Sequence, residues 1–287
     1  MSLKARSSRR SRRFEGRPVP DPLPGDSQRV RGAAPEGATD AESASRAVRE
    51  MFTSIAPRYD LLNHLLSANI DKLWWRRTAR SFRHILSREG ARVLDLCCGT
   101  GDMAFALRKQ GSAATITGAD FSHAMLVRAR AKTSAGSPIA WIESDALRLP
   151  FPDATFDLVT LAFGFRNLAD YDAGLEEIFR VLRPGGECGI LDFSEPGGIV
   201  GKVYNVYFKS VLPRIGKLIS GNNGAYAYLP ASVKRFPSPA QLIERMAKTG
   251  FEESSWTPYT FGIAGLFRGK KVPRNVPSLS IRDVSSR

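Results

Sequence analysis

The sequence predicts an α/β fold in which helices cover a mostly parallel sheet, and two observations carry this prediction. Residues 92–96 have the pattern of a short buried strand, which a glycine turn breaks before a helix begins near Met103. Strand and helix patterns then alternate along the chain, as they do in βαβ units. The predicted strands are residues 92–96, 114–120, 139–142, 156–163, 187–193, 251–256 and 260–267, and the last two can pair as a hairpin.

The glycine turn at residues 97–101 indicates which ligand the sheet holds. Counted from Gly99, the sequence fits the loose dinucleotide-binding fingerprint, but that match is weak by itself. Asp95 precedes the turn and Asp102 directly follows Gly101, and carboxylates on both sides would repel a pyrophosphate. They suit a ligand with an ammonium and a sulfonium group. S-adenosylmethionine carries both and no phosphate, so it is the predicted cofactor. The alternative is a tight packing turn in which Asp102 caps the helix.

Two further acids follow later strands and fit the same cofactor. Asp120 ends the second strand, 21 residues after Gly99, where a carboxylate can accept hydrogen bonds from both ribose hydroxyls. Asp145, beside Ala146, lies just past the third strand, where it can bond the adenine amino group. Because Asp is common in turns, Asp145 adds little by itself. The helix after Asp120 is expected to be capped by Ser122.

The fourth strand ends at Gly164-Phe-Arg-Asn167, on the carboxyl edge where open α/β sheets hold ligands. Arg166 and Asn167 are therefore candidates for contacts with a substrate, although such a pair could equally organise the loop at the strand end. A helix over residues 174–182 follows and is expected to stop at Pro184-Gly185-Gly186. The fifth strand begins directly after it.

Two segments lie outside the alternating pattern. Residues 45–57 predict a helix that ends at Pro57, and residues 58–77, rich in Leu and Trp, predict helices over the mouth of the ligand cleft or packed on the core. Residues 194–236 interrupt the α/β pattern with an apolar and aromatic stripe over residues 200–219. This insertion could shape a substrate pocket, a partner surface or a membrane-facing lid, or add a hydrophobic layer to the core.

Charge and composition divide the chain into three parts. The first twenty residues carry a net charge of +6 and the last twenty +5, which leaves +3 of the overall +14 for the residues between. The basic residues therefore belong to the ends and not to a groove on the fold. Residues 1–44, rich in Arg, Pro, Gly, Ser and Ala, are expected to form a disordered leader, residues 45–269 one folded domain, and residues 270–287 a disordered basic tail.

The cysteines and the hydropathy limit where the protein works. Three cysteines, two of them adjacent at residues 97 and 98, give neither a disulfide framework nor a zinc-binding spacing, which fits a reducing compartment. The chain has no run of about 18 apolar residues, so no segment is expected to span a membrane. The Arg- and Ser-rich start resembles an organelle transit peptide, but four prolines between residues 18 and 24 disfavour a long amphipathic helix there.

Three longer stretches carry a specific resemblance. They are Arg58-Tyr-Asp-Leu-Leu-Asn63 with Ser67 and Trp74, then Phe163-Gly-Phe-Arg-Asn167, then Arg180-Val-Leu-Arg-Pro-Gly-Gly186 continuing to Asp192-Phe-Ser194. From about residue 48 to 269 the chain resembles the ubiquinone/menaquinone biosynthesis C-methyltransferases, most closely the demethylmenaquinone methyltransferases. The resemblance implies the class I S-adenosylmethionine-dependent methyltransferase fold, a Rossmann-like, mostly parallel seven-stranded sheet whose last strand is antiparallel. Residues 45–269 would then be a methyltransferase domain.

The resemblance also implies cofactor contacts at Thr100, Asp120, Asp145 and Ala146. This sequence departs from the family pattern at three positions, with Ala162 where the family has Ser, Asp71 where it has His and Leu62 where it has Met. The change at Ala162 removes one polar contact to the cofactor. The acids that define the cofactor site are all present.

The implied activity is methylation of a ring carbon of a polyprenylated quinol, demethylmenaquinol to menaquinol above all and ubiquinone biosynthesis in addition. Such an enzyme would be cytoplasmic and in peripheral contact with the inner face of the membrane, with organelle targeting left open and no nucleic acid as partner. Two other classes remain: a methyltransferase for another substrate such as RNA, recruited by the basic ends, and a cofactor-binding protein without catalysis. The low charge between the two ends argues against the first, and the intact acids disfavour the second.

The chemistry requires a quinol carbon in line behind the sulfonium methyl, with water excluded and the phenol proton removed. Arg166 and Asn167 are the residues predicted to hold the ring oxygens, Arg166 by stabilising a phenolate. Tyr59, Asp60 and His64 are candidates for the proton acceptor, and the sequence does not choose among them. His64 lies outside the family pattern, and a lone His in a leucine-rich helix is usually structural.

Overall fold

A seven-stranded sheet forms the centre of the protein in the computed structural model, which describes residues 31–60, 67, 69–111, 113–136, 138–198, 201 and 223–273. The strands are β1 Arg92–Leu96, β2 Thr115–Asp120, β3 Ala140–Glu143, β4 Phe156–Ala162, β5 Leu182–Phe193, β6 Glu252–Tyr259 and β7 Ala264–Lys270. Their order is β3-β2-β1-β4-β5-β7-β6, and β7 runs antiparallel to both neighbours while the first five strands are parallel. The predicted fold class is confirmed.

The helices of the described residues lie before, between and after these strands. They are α1 Ala41–Ile55, α2 Ile70–Ser81, α3 Arg83–Leu86, α4 Asp102–Gln110, α5 His123–Lys132, α6 Tyr171–Val181, α7 Asn223–Arg235 and α8 Pro239–Thr249. Within this part of the chain no helix has the length and apolar character needed to cross a lipid bilayer.

Both faces of the sheet are buried along its central strands, as the short apolar strands predict. Successive side chains of a strand point to opposite faces, so Val93 packs in one apolar cluster and Leu94 in another. The first cluster contains Leu107 of α4, and the second contains Leu175 of α6 and Leu242 of α8. Helices therefore cover the two faces, and the carboxyl edge of the sheet stays available for a ligand.

Local capping signals explain where the outer helices begin and end. Asp40 accepts the Ser43 backbone N–H while the Ser43 hydroxyl accepts the Asp40 N–H, which caps α1. This helix ends at Ile55, before Pro57, as the sequence predicts. Ser238 and Gln241 form the same reciprocal cap on α8. This helix ends at Thr249, and Gly250 follows it in a left-handed conformation with φ of 110°.

Several predicted details were wrong. Helix α6 ends at Val181, and the Pro184-Gly185-Gly186 turn belongs to β5, which starts at Leu182 instead of residue 187. Gly185 has a positive φ of 84° in this turn, where its N–H donates to the Lys271 carbonyl at 2.5 Å and Lys271 N–H donates to the Gly186 carbonyl at 2.9 Å. These two bonds join the turn to the end of β7.

The cap at Ser122 also differs from the prediction. Ser122 occupies the N-cap position of α5, but its hydroxyl is 3.0 Å from the Thr53 hydroxyl of α1 and makes no bond to the helix backbone. The last two strands are shifted too, because residues 260–262 form a short 3-10 turn between β6 and β7. The hairpin pairing itself is confirmed.

The ends and the insertion are described in part. Ala33 is buried and donates its N–H to the Leu168 carbonyl at 2.7 Å, and α1 begins at Ala41, so packed structure starts ahead of the predicted boundary at residue 45. In the insertion the structure describes residues 194–198, 201 and 223–236, with α7 as its last helix. Most of the apolar stripe over residues 200–219 lies outside the described residues.

Candidate active site

The turn after β1 is held by glycines in left-handed conformations. Gly99 has φ of 53° and Gly101 has φ of 91°, values that residues other than glycine rarely adopt. A Cβ on Gly101 would lie 2.5 Å from the Trp141 ring, so only glycine fits there. A Cβ on Gly99 would meet only Tyr59, at 3.8 Å. The turn therefore leaves open space on the side that faces Tyr59.

That space belongs to a cleft at the carboxyl ends of β1, β2, β3 and β4. The part of its lining that comes from strand ends and turns includes Cys97, Gly99, Asp120, Asp145, Ala146, Phe163 and Asn167. Tyr59 and Phe52 close the cleft from the N-terminal side. Six predicted site residues, Tyr59, Gly99, Asp120, Asp145, Ala146 and Asn167, thus line one cavity. This confirms that β1 and β4 open at a common edge, as neighbouring parallel strands must.

Asp120 is the acid best placed for a ligand in the cleft. It is almost fully buried and accepts hydrogen bonds from the backbone N–H groups of Gly99 at 2.8 Å and Ser122 at 2.9 Å. Burial raises its pKa to about 6, against the lowering effect of these bonds. Each carboxylate oxygen still has a lone pair for a further donor. The side chain can therefore accept hydrogen bonds from the hydroxyl groups of a bound ribose.

Asp95 lies behind the turn and outside the lining of the cleft. Its side chain is fully buried, and Thr160 Oγ1 donates to its Oδ1 at 3.0 Å, while Oδ2 has no hydrogen-bond partner among the described residues. Burial above all, together with the nearby carboxylates of Asp120 and Asp102, raises the pKa of Asp95 to about 7. An unpartnered carboxylate oxygen beneath a glycine turn fits a cationic ligand above that turn.

A cluster around Lys132 joins the turn to the segment after α1. The ammonium group of Lys132, the last residue of α5, lies 3.1 Å from Asp60 Oδ2 and 2.9 Å from Asp102 Oδ1. It also lies 3.0 Å from Thr100 Oγ1, which donates its hydrogen to Asp60 Oδ1. The predicted residues Asp60 and Thr100 are therefore in direct contact. Sequence analysis missed Lys132, which stands at the C-terminal end of a helix with nothing local to distinguish it.

Arg166 forms a buried ion pair and does not line the cleft. Its Nη1 donates to Asp192 Oδ1 at 2.7 Å, and its backbone N–H donates to Asp192 Oδ2 at 3.0 Å. Burial opposes the charge of Arg166, but the Asp192 carboxylate outweighs this effect, so the pKa of Arg166 is raised. The guanidinium also packs over the Phe193 ring at 5.0 Å. The pair fixes the loop that carries Asn167.

Asn167 presents its amide to the cleft with help from a residue that the sequence did not single out. Its Nδ2 donates to the Phe163 carbonyl at 3.2 Å, and Tyr228 donates its hydroxyl to Asn167 Oδ1 at 3.2 Å. Burial raises the pKa of Tyr228 to about 12, so the phenol keeps its proton at neutral pH. His64, the third candidate proton acceptor, lies outside the described residues.

The cleft has the parts that methyl transfer to a carbon atom needs. Its inner half carries carboxylates, which suit a cationic cofactor, and the open face of the glycine turn leaves room for that cofactor. Its other half combines the apolar side chains of Phe52 and Phe163 with the polar groups of Tyr59 and Asn167. Such a surface can bind an aromatic ring and orient its oxygen atoms while excluding water.

Known proteins resemble this chain over nearly the whole of the described region. A sequence model of the ubiE/COQ5 methyltransferase family matches residues 39–271. The demethylmenaquinone methyltransferase of Deinococcus radiodurans is 51% identical over 234 residues, which cover 81% of this chain and 95% of the relative. The demethylmenaquinone methyltransferase of Thermus thermophilus is 51% identical over 223 residues, which cover 77% of this chain and all of the relative.

Solved structures resemble the fold at lower identity. An S-adenosylmethionine-dependent methyltransferase of Thermotoga maritima superposes with a TM-score of 0.53 at 20% identity, over 78% of this chain and 99% of its own. At that identity the likeness establishes the fold alone, and function depends on the site. The sequence matches extend across the glycine turn, the acids after β2 and β3, and the Asn167 loop. This chain therefore belongs to the ubiE/COQ5 methyltransferase family.

Proposed function

We propose that this protein transfers the methyl group of S-adenosylmethionine to a ring carbon of a demethylmenaquinol, in menaquinone biosynthesis. The observation that carries the proposal is the 51% identity to two demethylmenaquinone methyltransferases over at least 95% of their length. The cleft supports it, because carboxylates stand at one end and an aromatic wall with Tyr59 and Asn167 at the other.

The cofactor supplies an electrophilic methyl group on its sulfonium sulfur. In our proposal Asp120 accepts hydrogen bonds from the ribose hydroxyls. Asp145, beside Ala146, accepts a hydrogen bond from the adenine amino group. Gly99 and Gly101 let the backbone approach the cofactor closely, as helix N-termini with glycine turns do. Thr100, fixed by its contact with Asp60, holds the methionine end together with Asp95, whose unpartnered oxygen favours a positive charge above it.

The quinol would lie against Tyr59 and Asn167, with its reacting carbon about 3 Å behind the methyl group. Ring oxygen atoms accept hydrogen bonds from the Asn167 amide or the Tyr59 phenol, which orients the carbon that a phenolate makes nucleophilic. Arg166 does not contact the quinol in this arrangement. It pairs with Asp192 behind the cleft and so positions the loop that carries Asn167. Tyr59 and Asp60 remain the candidates for the group that accepts the phenol proton.

A polyprenyl quinol dissolves in the bilayer, so the enzyme must meet it at a membrane surface. We propose a peripheral contact with the membrane and no nucleic-acid partner. The net positive charge of the two ends would add a long-range attraction to anionic lipid.

The test is to compare the quinones of cells that lack this protein with those of the parent strain. We expect demethylmenaquinone to replace menaquinone, and the wild-type protein to restore menaquinone. Asn167→Ala should restore it poorly, whereas Glu244→Gln, a change on the outer surface of α8, should restore it fully. Unchanged menaquinone in the deleted strain would refute the proposed substrate.

A further inference from the structure

Three of the four large apolar side chains that are exposed among the described residues lie on α2 and on the turn that α2 contacts. Ile70 is 37% exposed and Leu73 is 59% exposed on the outer side of α2, and Phe261 is 84% exposed in the turn between β6 and β7. Trp74 Nε1 donates to Thr260 Oγ1 at 2.8 Å, which ties the helix to that turn. The three side chains therefore belong to one surface, while the fourth, Val127, lies apart on α5.

Phe261 is held outward at a conformational cost. Its φ is 56°, between Thr260 at 44° and Gly262 at 88°, and a bulky residue in this left-handed region is strained. The turn is fixed from below, because Ser194 Oγ donates to the Gly262 carbonyl at 2.6 Å and Ser194 N–H to the Ile263 carbonyl at 3.0 Å. No packing of Phe261 against the described residues offsets this strain, since the side chain is largely exposed.

The same surface is strongly basic. The only acid between residues 69 and 84 is Asp71, and it is buried. The neighbouring helix α4 begins with Asp102, whose carboxylate is already paired with the Lys132 ammonium. The exposed cations of this segment are Lys72, Arg76, Arg77, Arg80 and Arg83. Three apolar side chains surrounded by long basic ones have the composition of a surface that enters the interface of an anionic bilayer.

The position of this surface relates it to the cleft. Because β6 pairs antiparallel with β7, its end at Tyr259 lies at the same sheet edge as the carboxyl ends of β4 and β5. Trp74 of α2 packs against Phe163, which lines the cleft, with ring centroids 5.8 Å apart. The exposed side chains thus lie on the outer side of a wall whose inner side faces the substrate end of the cleft.

We propose that this surface, the α2 face formed by Ile70, Leu73 and Phe261 with the cations of α2, docks the protein on an anionic phospholipid bilayer. The apolar side chains enter the boundary between headgroups and acyl chains, and the basic side chains contact lipid phosphates. The inference rests on the proposed function only for its purpose, which is to bring the cleft to a quinol held in the bilayer. Docking itself needs no turnover.

Sedimentation of the full chain with vesicles tests the proposal. We expect binding to vesicles that contain phosphatidylglycerol, weaker binding to pure phosphatidylcholine, and a loss of affinity of at least about tenfold for the double variant Leu73→Ser/Phe261→Ser, since both side chains leave an apolar phase. Arg76→Gln/Arg80→Gln should weaken binding mainly at low salt. Val127→Ser, the exposed apolar residue on α5, is the matched control and should bind as the wild type does.

The basic ends are the same in every variant, so differences between variants report the α2 face. Equal vesicle binding by the wild type and the Leu73/Phe261 double variant would overturn the proposal. A second measurement uses Phe261→Trp, whose added fluorescence should be quenched by brominated lipid. Methyl transfer to a short-chain soluble quinol should be unchanged in all these variants. Its absence in the wild type would count against the proposed function and leave the docking result intact.

Discussion

The buried carboxyl of Asp95 makes the stability of this protein depend on pH in a predictable direction. In the unfolded chain its pKa is 3.8, and burial raises it to about 7 in the folded protein. The folded state therefore binds the proton more tightly, and this contribution to stability is present at low pH and lost as the pH rises through about 7. Ionised Asp95 in the folded protein costs about 4 kcal/mol, since each pKa unit corresponds to about 1.4 kcal/mol.

The variant Asp95→Asn removes the titration and keeps the shape. An Asn oxygen can still accept the hydrogen bond that Thr160 donates. Between about pH 5 and about pH 8.5 the wild type should lose about 3 kcal/mol of unfolding free energy through Asp95, and the variant should lose correspondingly less. Urea unfolding at both pH values, without cofactor, measures the difference.

The comparison of the two proteins isolates Asp95, because every other titrating group is common to both. Asp153→Asn, a change at an exposed carboxylate in the turn before β4, is the matched control and should follow the wild type. Identical pH dependence in the wild type and Asp95→Asn would refute the reasoning. It would mean that Asp95 stays ionised in the folded protein at low pH, or that water reaches it.

Three further predictions concern the cleft. Asp120→Asn should weaken S-adenosylmethionine binding by about 1–3 kcal/mol, the usual loss of charge-assisted hydrogen bonds, and calorimetry showing unchanged affinity would contradict the proposed ribose contact. Lys132→Met should speed hydrogen exchange at residues 56–60, because Asp60 loses its ion pair, while changing stability by less than about 1 kcal/mol; unchanged exchange would show that the pair does not hold the segment. Tyr228→Phe should lower kcat about fivefold and leave cofactor affinity unchanged, since the hydrogen bond to Asn167 is lost. A raised KM for the cofactor with unchanged kcat would contradict the role of Tyr228 in positioning Asn167.

Local patterns of the sequence were sufficient for the sheet and for half of the site. Strand β1 was predicted at its observed bounds because Val93, Leu94 and Leu96 form a short apolar run directly before a glycine turn, a pattern typical of a buried strand. Asp120 and Asp145 were predicted to share a site because parallel strands end at one edge, whatever their exact order. Boundaries failed where distant atoms decided them, as when Lys271 drew the Pro184-Gly185-Gly186 turn into β5.

The partners of the site residues could not be predicted. Arg166 was expected to reach a substrate oxygen, but the structure pairs it with Asp192, which lies 26 residues away at the end of the neighbouring strand. Tyr228 reaches Asn167 from 61 residues away, and Lys132 reaches Asp60 from 72. No periodicity or turn signal in the sequence carries such pairings, because they depend on strand order, register and the packing of whole helices.

The sequence by itself determined the α/β sheet, the glycine turn with its acids, and the family to which they belong, since all three rest on residues close together in the chain. Only the tertiary structure decided which carboxyls are buried, and hence that the pKa values of Asp95 and Asp120 are raised. It also decided that Ile70, Leu73 and Phe261 meet on one exposed basic surface. The physical reason is that strand and turn preferences act over a few residues, whereas burial and charge environment are set by every element that packs around a side chain.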